Sequence, residues 1–140
     1  DNTRPIVAAM AVGVARAAFD HALAYAKERV QGGVPIIQHQ SVKTRLFNMF
    51  MKLESTRSHV RQVAIANYQR MGMIPFQYAA ASKILATQTA FELASEAIQM
   101  FGGNGLCREY PVEKIFRDAR AGLIEDGENN MLAIIAANNF

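Results

Sequence analysis

Val42, Leu46, Met49, Leu53, Thr56, Val60 and Val63 recur at alternating steps of four and three residues, and this seam restricts the possible folds most. On a strand, where successive side chains alternate between faces, such spacing would scatter the apolar groups over both. On a helix it makes one stripe of heptad type, suited to the inside of a bundle. The spacing predicts a helix from about Gln38 to Arg70, broken by Met71-Gly72-Met73-Ile74-Pro75.

Flanking segments follow the same logic. Between about Arg4 and Arg29, the residues Val7, Met10, Val14, Ala18, Ala22 and Tyr25 trace a second apolar face. Thr3 is a fair N-cap, Pro5 falls in the first turn where its missing donor matters little, and Gly32, Gly33 and Pro35 end the helix. Arg4, the apolar run after it and Ala15-Arg16-Ala17 imitate a signal peptide, but the periodicity continues past Asp20 into Leu23, as in an ordinary helix. An alanine-rich helix is expected from roughly Phe76 to Met100, carrying Ala81, Leu85, Gln88 and Leu93 and stopped by Gly102-Gly103-Asn104-Gly105. A short helix after Pro111, through Ile115 to Ala119, and a final one from near Asp126 to Ala136-Ala137 complete the series. No window shows a period-two strand pattern or a hairpin turn signal, and no internal repeat is present. The fold class is therefore all-α, with residues 1–140 as one domain. Short connections make it an antiparallel up-and-down bundle of three long helices plus shorter C-terminal ones.

With 51% hydrophobic and 19% charged residues, the 140-residue chain can bury a real core and still leave apolar surface for another domain or subunit. Its net charge of +3 comes from lysines and arginines spread along the chain, with no basic run among aromatics, which speaks against nucleic-acid binding. No apolar run approaches the roughly 18–20 residues that span a bilayer, so membrane insertion is not expected. Cys107, the only cysteine, rules out an intramolecular disulfide or a cysteine metal site and fits a reducing compartment. Beside Arg108 its thiol is either activated or a passive residue after a turn, the second being the expectation. His21, His39 and His59 lack metal-ligand spacing, no Glu-x-x-His pair of a di-iron bundle occurs, and neither GxSxG nor SxxK is found.

Three segments carry possible chemistry, and each has two readings. Gly102-Gly103-Asn104-Gly105 is either a helix stop or a place where a flat ligand or phosphate meets backbone without a Cβ. Arg29, at the end of Glu28-Arg29-Val30-Gln31-Gly32-Gly33, either offsets the helix dipole or grips a pyrophosphate. In Ile124-Glu125-Asp126-Gly127-Glu128-Asn129-Asn130, Asp126 with Asn129 resembles a cap, but a carboxylate here could equally act as a base. Proton removal beside a thioester needs such a base, dried by bound substrate so that its pKa rises.

Asp1-Asn2-Thr3-Arg4-Pro5 with Val7-Ala8-Ala9, Tyr25-Ala26-x-Glu28-Arg29, His39-Gln40, Gln99-x-x-Gly102-Gly103-Asn104-Gly105, Tyr110-Pro111-Val112-Glu113-Lys114 and Arg117-Asp118-Ala119 form an ordered series. In order and spacing it resembles the C-terminal helical domain of acyl-CoA dehydrogenases, over essentially the whole chain. The resemblance implies an FAD-dependent oxidoreductase that removes the α-proton of an acyl-CoA while a β-hydride passes to the flavin. It makes Asp126 the base, with Glu125 as runner-up. It puts Arg29 and Gln31 at the pyrophosphate of an FAD held mainly by a neighbouring subunit and Gln40 beside that cofactor. Gln99, Gly102 and Gly103 would line its adenosine end, and Asn129 and Asn130 would contact FAD at the last helix. Asp1, Arg4 and Gly127 would face the acyl-CoA.

Two departures stand out. Gln31-Gly32-Gly33 replaces the family's usual x-Phe-Gly after Arg-x, removing an aromatic surface for the flavin. Glu125-Asp126-Gly127 replaces the usual Tyr-Glu-Gly, giving a base one methylene shorter. Relatives with a base on the first helix place it where this chain has Thr3, which cannot serve. The resemblance further implies a homodimer or homotetramer, an electron-transfer flavoprotein as acceptor, and the cytoplasm, or the mitochondrial matrix in a eukaryote. Because the chain opens at the C-terminal domain, it is expected to be a fragment, inactive alone and binding FAD weakly or not at all. Two rivals are a same-fold flavoprotein of other chemistry, such as a nitroalkane oxidase with its aspartate base, and a helical module serving only assembly.

Overall fold

The computed structural model describes residues 3–140. Among them the chain forms five α-helices: α1 Thr3–Glu28, α2 Gln40–Gln69, α3 Phe76–Phe101, α4 Val112–Gly122 and α5 Asn129–Ala137. Short 3-10 turns at Ile36–Gln38 and Gly102–Leu106 precede α2 and follow α3.

The seam expected on α2 is the one that is buried, with Leu46, Met49, Leu53, Thr56, Val60 and Val63 facing inward and Val42 half-buried. Arg45 with Glu96, Lys52 with Glu92, and Thr56 with Thr89 pair α2 antiparallel to α3. Arg4 lies over Phe76 and Tyr25 stacks on Phe101, so α1 runs parallel to α3, and the three long helices alternate up, down, up.

On α1 the expected face is buried in part: Ala18 and Ala22 are fully buried, Val7, Val14 and Tyr25 are half-buried and Met10 is 64% exposed, while Ala8, Ala15 and Ala26 complete the buried stripe. The reason is steric: α1 packs most extensively on α3, which presents Ala80, Ala86, Ala94 and Ala97, and two alanine faces allow the closest approach. On α3, similarly, Ala81, Leu85 and Gln88 face outward and only Leu93 of the expected set is buried. By length and composition alone α1 is long and apolar enough to cross a bilayer, contrary to the expectation from apolar runs, but its alanine stripe is buried within the bundle.

A hairpin was not expected, yet one follows α1: β1 Val30–Gln31 pairs antiparallel with β2 Val34–Pro35. Its two-residue turn is Gly32-Gly33, at φ +65° and +80°. Both central residues of this turn type need positive φ, which glycine supplies freely. The strands are too short for any periodicity, so only the glycine pair could have announced them.

Candidate functional site

The link between α4 and α5 has an unusual backbone. Asp126 sits at φ +53° and Gly127 at φ +96°, two successive left-handed residues. A Cβ on Gly127 would meet Leu132 Cδ2 at 3.0 Å, so the turn is wedged onto α5. The cap of α5 is Glu128, whose Oε2 accepts from the Met131 amide at 3.1 Å, rather than Asp126 with Asn129. Freed from capping, the Asp126 carboxylate accepts from the Thr3 hydroxyl at 3.2 Å. Thr3 is the first residue of α1, so this bond joins the N-terminus of α1 to the α4–α5 turn.

Beneath the turn lies Lys83, fully buried two turns into α3. Its Nζ donates to the Gly127 carbonyl and to Asn129 Oδ1, both at 2.8 Å. Asn129 Nδ2 donates in turn to Thr87 Oγ1 at 2.9 Å. Burial pushes the Lys83 ammonium below lysine's ordinary pKa, while the carboxylates of Asp126, Glu125 and Glu128 pull it up and Arg4 adds repulsion. Nothing in the sequence reading singled this lysine out. The available signal was its register: Ala79, Lys83, Ala86, Ala90 and Leu93 share one helical stripe, and a lysine on a buried stripe requires partners.

At the far end of the bundle a second arrangement appears. Arg29, Gln31, Gly102 and Gly103 line one cleft of about 290 Å³ with Tyr25, Phe101 and Asn104. Gly102 lies at φ +63°, and a Cβ on either glycine would meet nothing within 4 Å, leaving their backbone open to a ligand. Tyr25 shapes the cleft, stacking on Phe101 at 3.9 Å between ring centroids and accepting from Asn104 Nδ2 at 3.2 Å. His39 buttresses the hairpin beside it through a 2.8 Å bond to the Gln31 carbonyl. A guanidinium beside exposed glycine backbone suits a pyrophosphate, so these residues fit part of a dinucleotide such as FAD.

The residues expected to touch a cofactor therefore divide. Gln40 opens α2 and Gln99 lies in the last turn of α3, both exposed and neither lining the cleft. Asn129 and Asn130 begin α5, beside Asp126; Asn130 is exposed, but the Asn129 carboxamide is 6% exposed and engaged by Lys83 and Thr87. Arg4 is half-buried against Phe76, 5.2 Å from the ring centroid, and Asp1 lies outside the described residues. Glu125 is exposed and lines, with Val7, Met10 and Asp118, a cleft of about 300 Å³ between α1 and α4. Among the described residues no group of His, Cys, Asp and Glu could hold a metal ion, and Cys107 is exposed on the turn after α3.

Thr3 and Arg29 mark the two ends. α1 has 26 residues, about 39 Å at the rise of an α-helix, and this length separates the Asp126 turn from the Arg29 cleft.

The chain matches the family model described as acyl-CoA dehydrogenase, C-terminal domain, over residues 1–140. It is 40% identical over 139 residues to the probable acyl-CoA dehydrogenase FadE25 of Mycobacterium tuberculosis, covering 96% of this chain and 34% of that protein. It thus spans about a third of the length of the relatives it matches. Butyryl-CoA dehydrogenase from Megasphaera elsdenii superposes with a TM-score of 0.91 at 37% identity, over 97% of this chain and 35% of that one. An FAD complex of PigA superposes at 0.85 with 30% identity, over 94% of this chain and 34% of that one. The chain belongs to the acyl-CoA dehydrogenase family, as its C-terminal helical domain.

Proposed function

We propose that the protein carrying this chain is an FAD-dependent acyl-CoA dehydrogenase in which Asp126 removes the α-proton of the thioester. The observation that supports this most directly is the state of Asp126. Its carboxylate is not spent on a helix cap and sits on a left-handed turn, held from the side by Thr3. A base must be fixed within reach of the carbon it deprotonates, and a rigid turn at a helix junction gives that fixity. The carboxylate is exposed in this chain, so the acyl-CoA that covers it would also dry it and raise its basicity. Arg4 and Gly127, beside it, are the residues of this chain assigned to the substrate.

Arg29, Gln31, Gly102 and Gly103 would hold the pyrophosphate and adenosine part of FAD, with Gln40 and Gln99 at its margin. When bound, the flavin supplies the acceptor for the β-hydride. The length of α1 keeps this cleft away from Asp126 of the same chain, which favours a homodimer or homotetramer. Each chain then gives its Asp126 to one active centre and its Arg29 cleft to another. An electron-transfer flavoprotein is the acceptor this reading assigns, and the cytoplasm or mitochondrial matrix the compartment.

The test is Asp126→Asn in the protein that carries this chain, with flavin reduction by a short acyl-CoA followed anaerobically. Loss of a general base predicts a fall of about 10²–10⁴-fold. Undiminished reduction would remove Asp126 from the mechanism. The aspartate at this position also favours a second reading, a nitroalkane oxidase-like flavoprotein, and reduction by nitroalkanes but not by acyl-CoAs would establish it. The assembly-only module is supported by the exposed Phe47, Phe50 and Met51 of α2, and a strictly monomeric species in sedimentation would count against it.

A further inference from the structure

Lys83 is a charge fully withdrawn from solvent, and the established fold does not need it there. An isolated buried ammonium is among the most costly groups a core can hold, and a methionine would fill the same space. Its bonding explains its presence. Both of its acceptors, the Gly127 carbonyl and Asn129 Oδ1, flank the Asp126 turn, and neither belongs to α3.

The Asn129 amide is itself pinned by Thr87, whose hydroxyl donates to the Lys83 carbonyl at 2.8 Å and closes the network on one turn of α3. Two consecutive left-handed residues resist close packing unless something over-determines them. Here α3 pulls the turn from below through Lys83, Leu132 wedges it from α5, and Thr3 holds the carboxylate from α1. Remove the ammonium and the Gly127 carbonyl loses its anchor one residue from the carboxylate.

We propose that Lys83 is a positioning residue for the reaction: its buried ammonium, bonded to the Gly127 carbonyl and Asn129, fixes the left-handed turn that aims Asp126 at the substrate. The inference rests on the reading of Asp126 as the base. The charged groups that face Lys83 are Glu125, Asp126 and Glu128 from the turn and Arg4 from α1.

The experiment compares wild type, Asp126→Asn and Lys83→Met in the flavin-loaded protein that carries this chain. Anaerobic flavin reduction is followed over a range of butyryl-CoA concentrations, below the melting temperature of each variant. Expected is loss of reduction in Asp126→Asn. Lys83→Met should have a limiting rate slower by about tenfold to a hundredfold, as for a base displaced by an ångström, with the half-saturating butyryl-CoA concentration unchanged. A purely structural lysine would lower the melting temperature without that selective loss of limiting rate.

Loss of reduction in Asp126→Asn with a wild-type limiting rate in Lys83→Met overturns the role of Lys83 and leaves the base in place. A wild-type rate in Asp126→Asn overturns the base, and Lys83 as its positioner falls with it. Should Lys83→Met not fold, Thr87→Val carries the test, because it releases the carboxamide that holds Lys83. A slower limiting rate at an unchanged half-saturating concentration is expected there, and a wild-type rate would overturn the proposal.

Discussion

Asp126 and Gly127 show how much a single backbone conformation decides. A positive φ is tolerated by aspartate and asparagine better than by most side chains, because their short polar groups bond locally. At φ +96° and with Leu132 3.0 Å from any added Cβ, Gly127 has no such latitude. Gly127→Ala should therefore destabilise the chain by about 1–3 kcal/mol, measured as a shift in urea midpoint at unchanged slope. A neutral result would mean that the turn relaxes freely, and a freely relaxing turn could not aim a carboxylate. The sequence made Asp126 conspicuous through its neighbours, but a cap and a base read alike in one dimension. Only the bond between Glu128 and the Met131 amide shows that the capping role was already filled.

Among the helices, α2 was the most legible, and the buried faces of α1 and α3 were less so. The α2 seam alternates bulky apolar residues with polar ones, so periodicity and burial coincide. Its one polar member, Thr56, is 2% exposed and meets Thr89 of α3 at 2.9 Å. Thr56→Val strands the Thr89 hydroxyl in the core and should cost about 1–3 kcal/mol, while Thr56→Val with Thr89→Val should recover most of that loss. Denaturation of the two single variants and the double closes the cycle; a double variant worse than the sum of the singles would refute a simple paired bond. On α1 and α3 the apolar residues are abundant on several faces, and hydrophobicity does not rank alanine above valine or methionine. Steric fit does, and it selected the alanine stripe. The hairpin between α1 and α2 escaped because strands of two residues have no period to detect.

For the molecule as a whole, the spacing of α1 and α3 is the dimension on which everything else depends. Alanines dominate the buried face of α1, and Ala18 on that face is fully buried. Ala18→Leu should cost about 1–3 kcal/mol by overpacking, or more if the helices cannot part, whereas Met10→Leu on the exposed side of α1 should stay close to wild type. Equal melting temperatures for the two variants would place the α1–α3 contact elsewhere. This parallel pair carries the Asp126 turn at one end and the Arg29 cleft at the other. The sequence by itself determined the helices, their breaks at glycine and proline, the α2 seam and the ordered motifs that place the chain in its family, because periodicity and turn chemistry are local. Tertiary structure alone decided which residues complete the buried stripe of α1, that Lys83 lies buried beneath Asp126, and that the glycine turn and the carboxylate stand a helix-length apart. Those depend on steric fit and distance between residues remote in sequence, which no local pattern records.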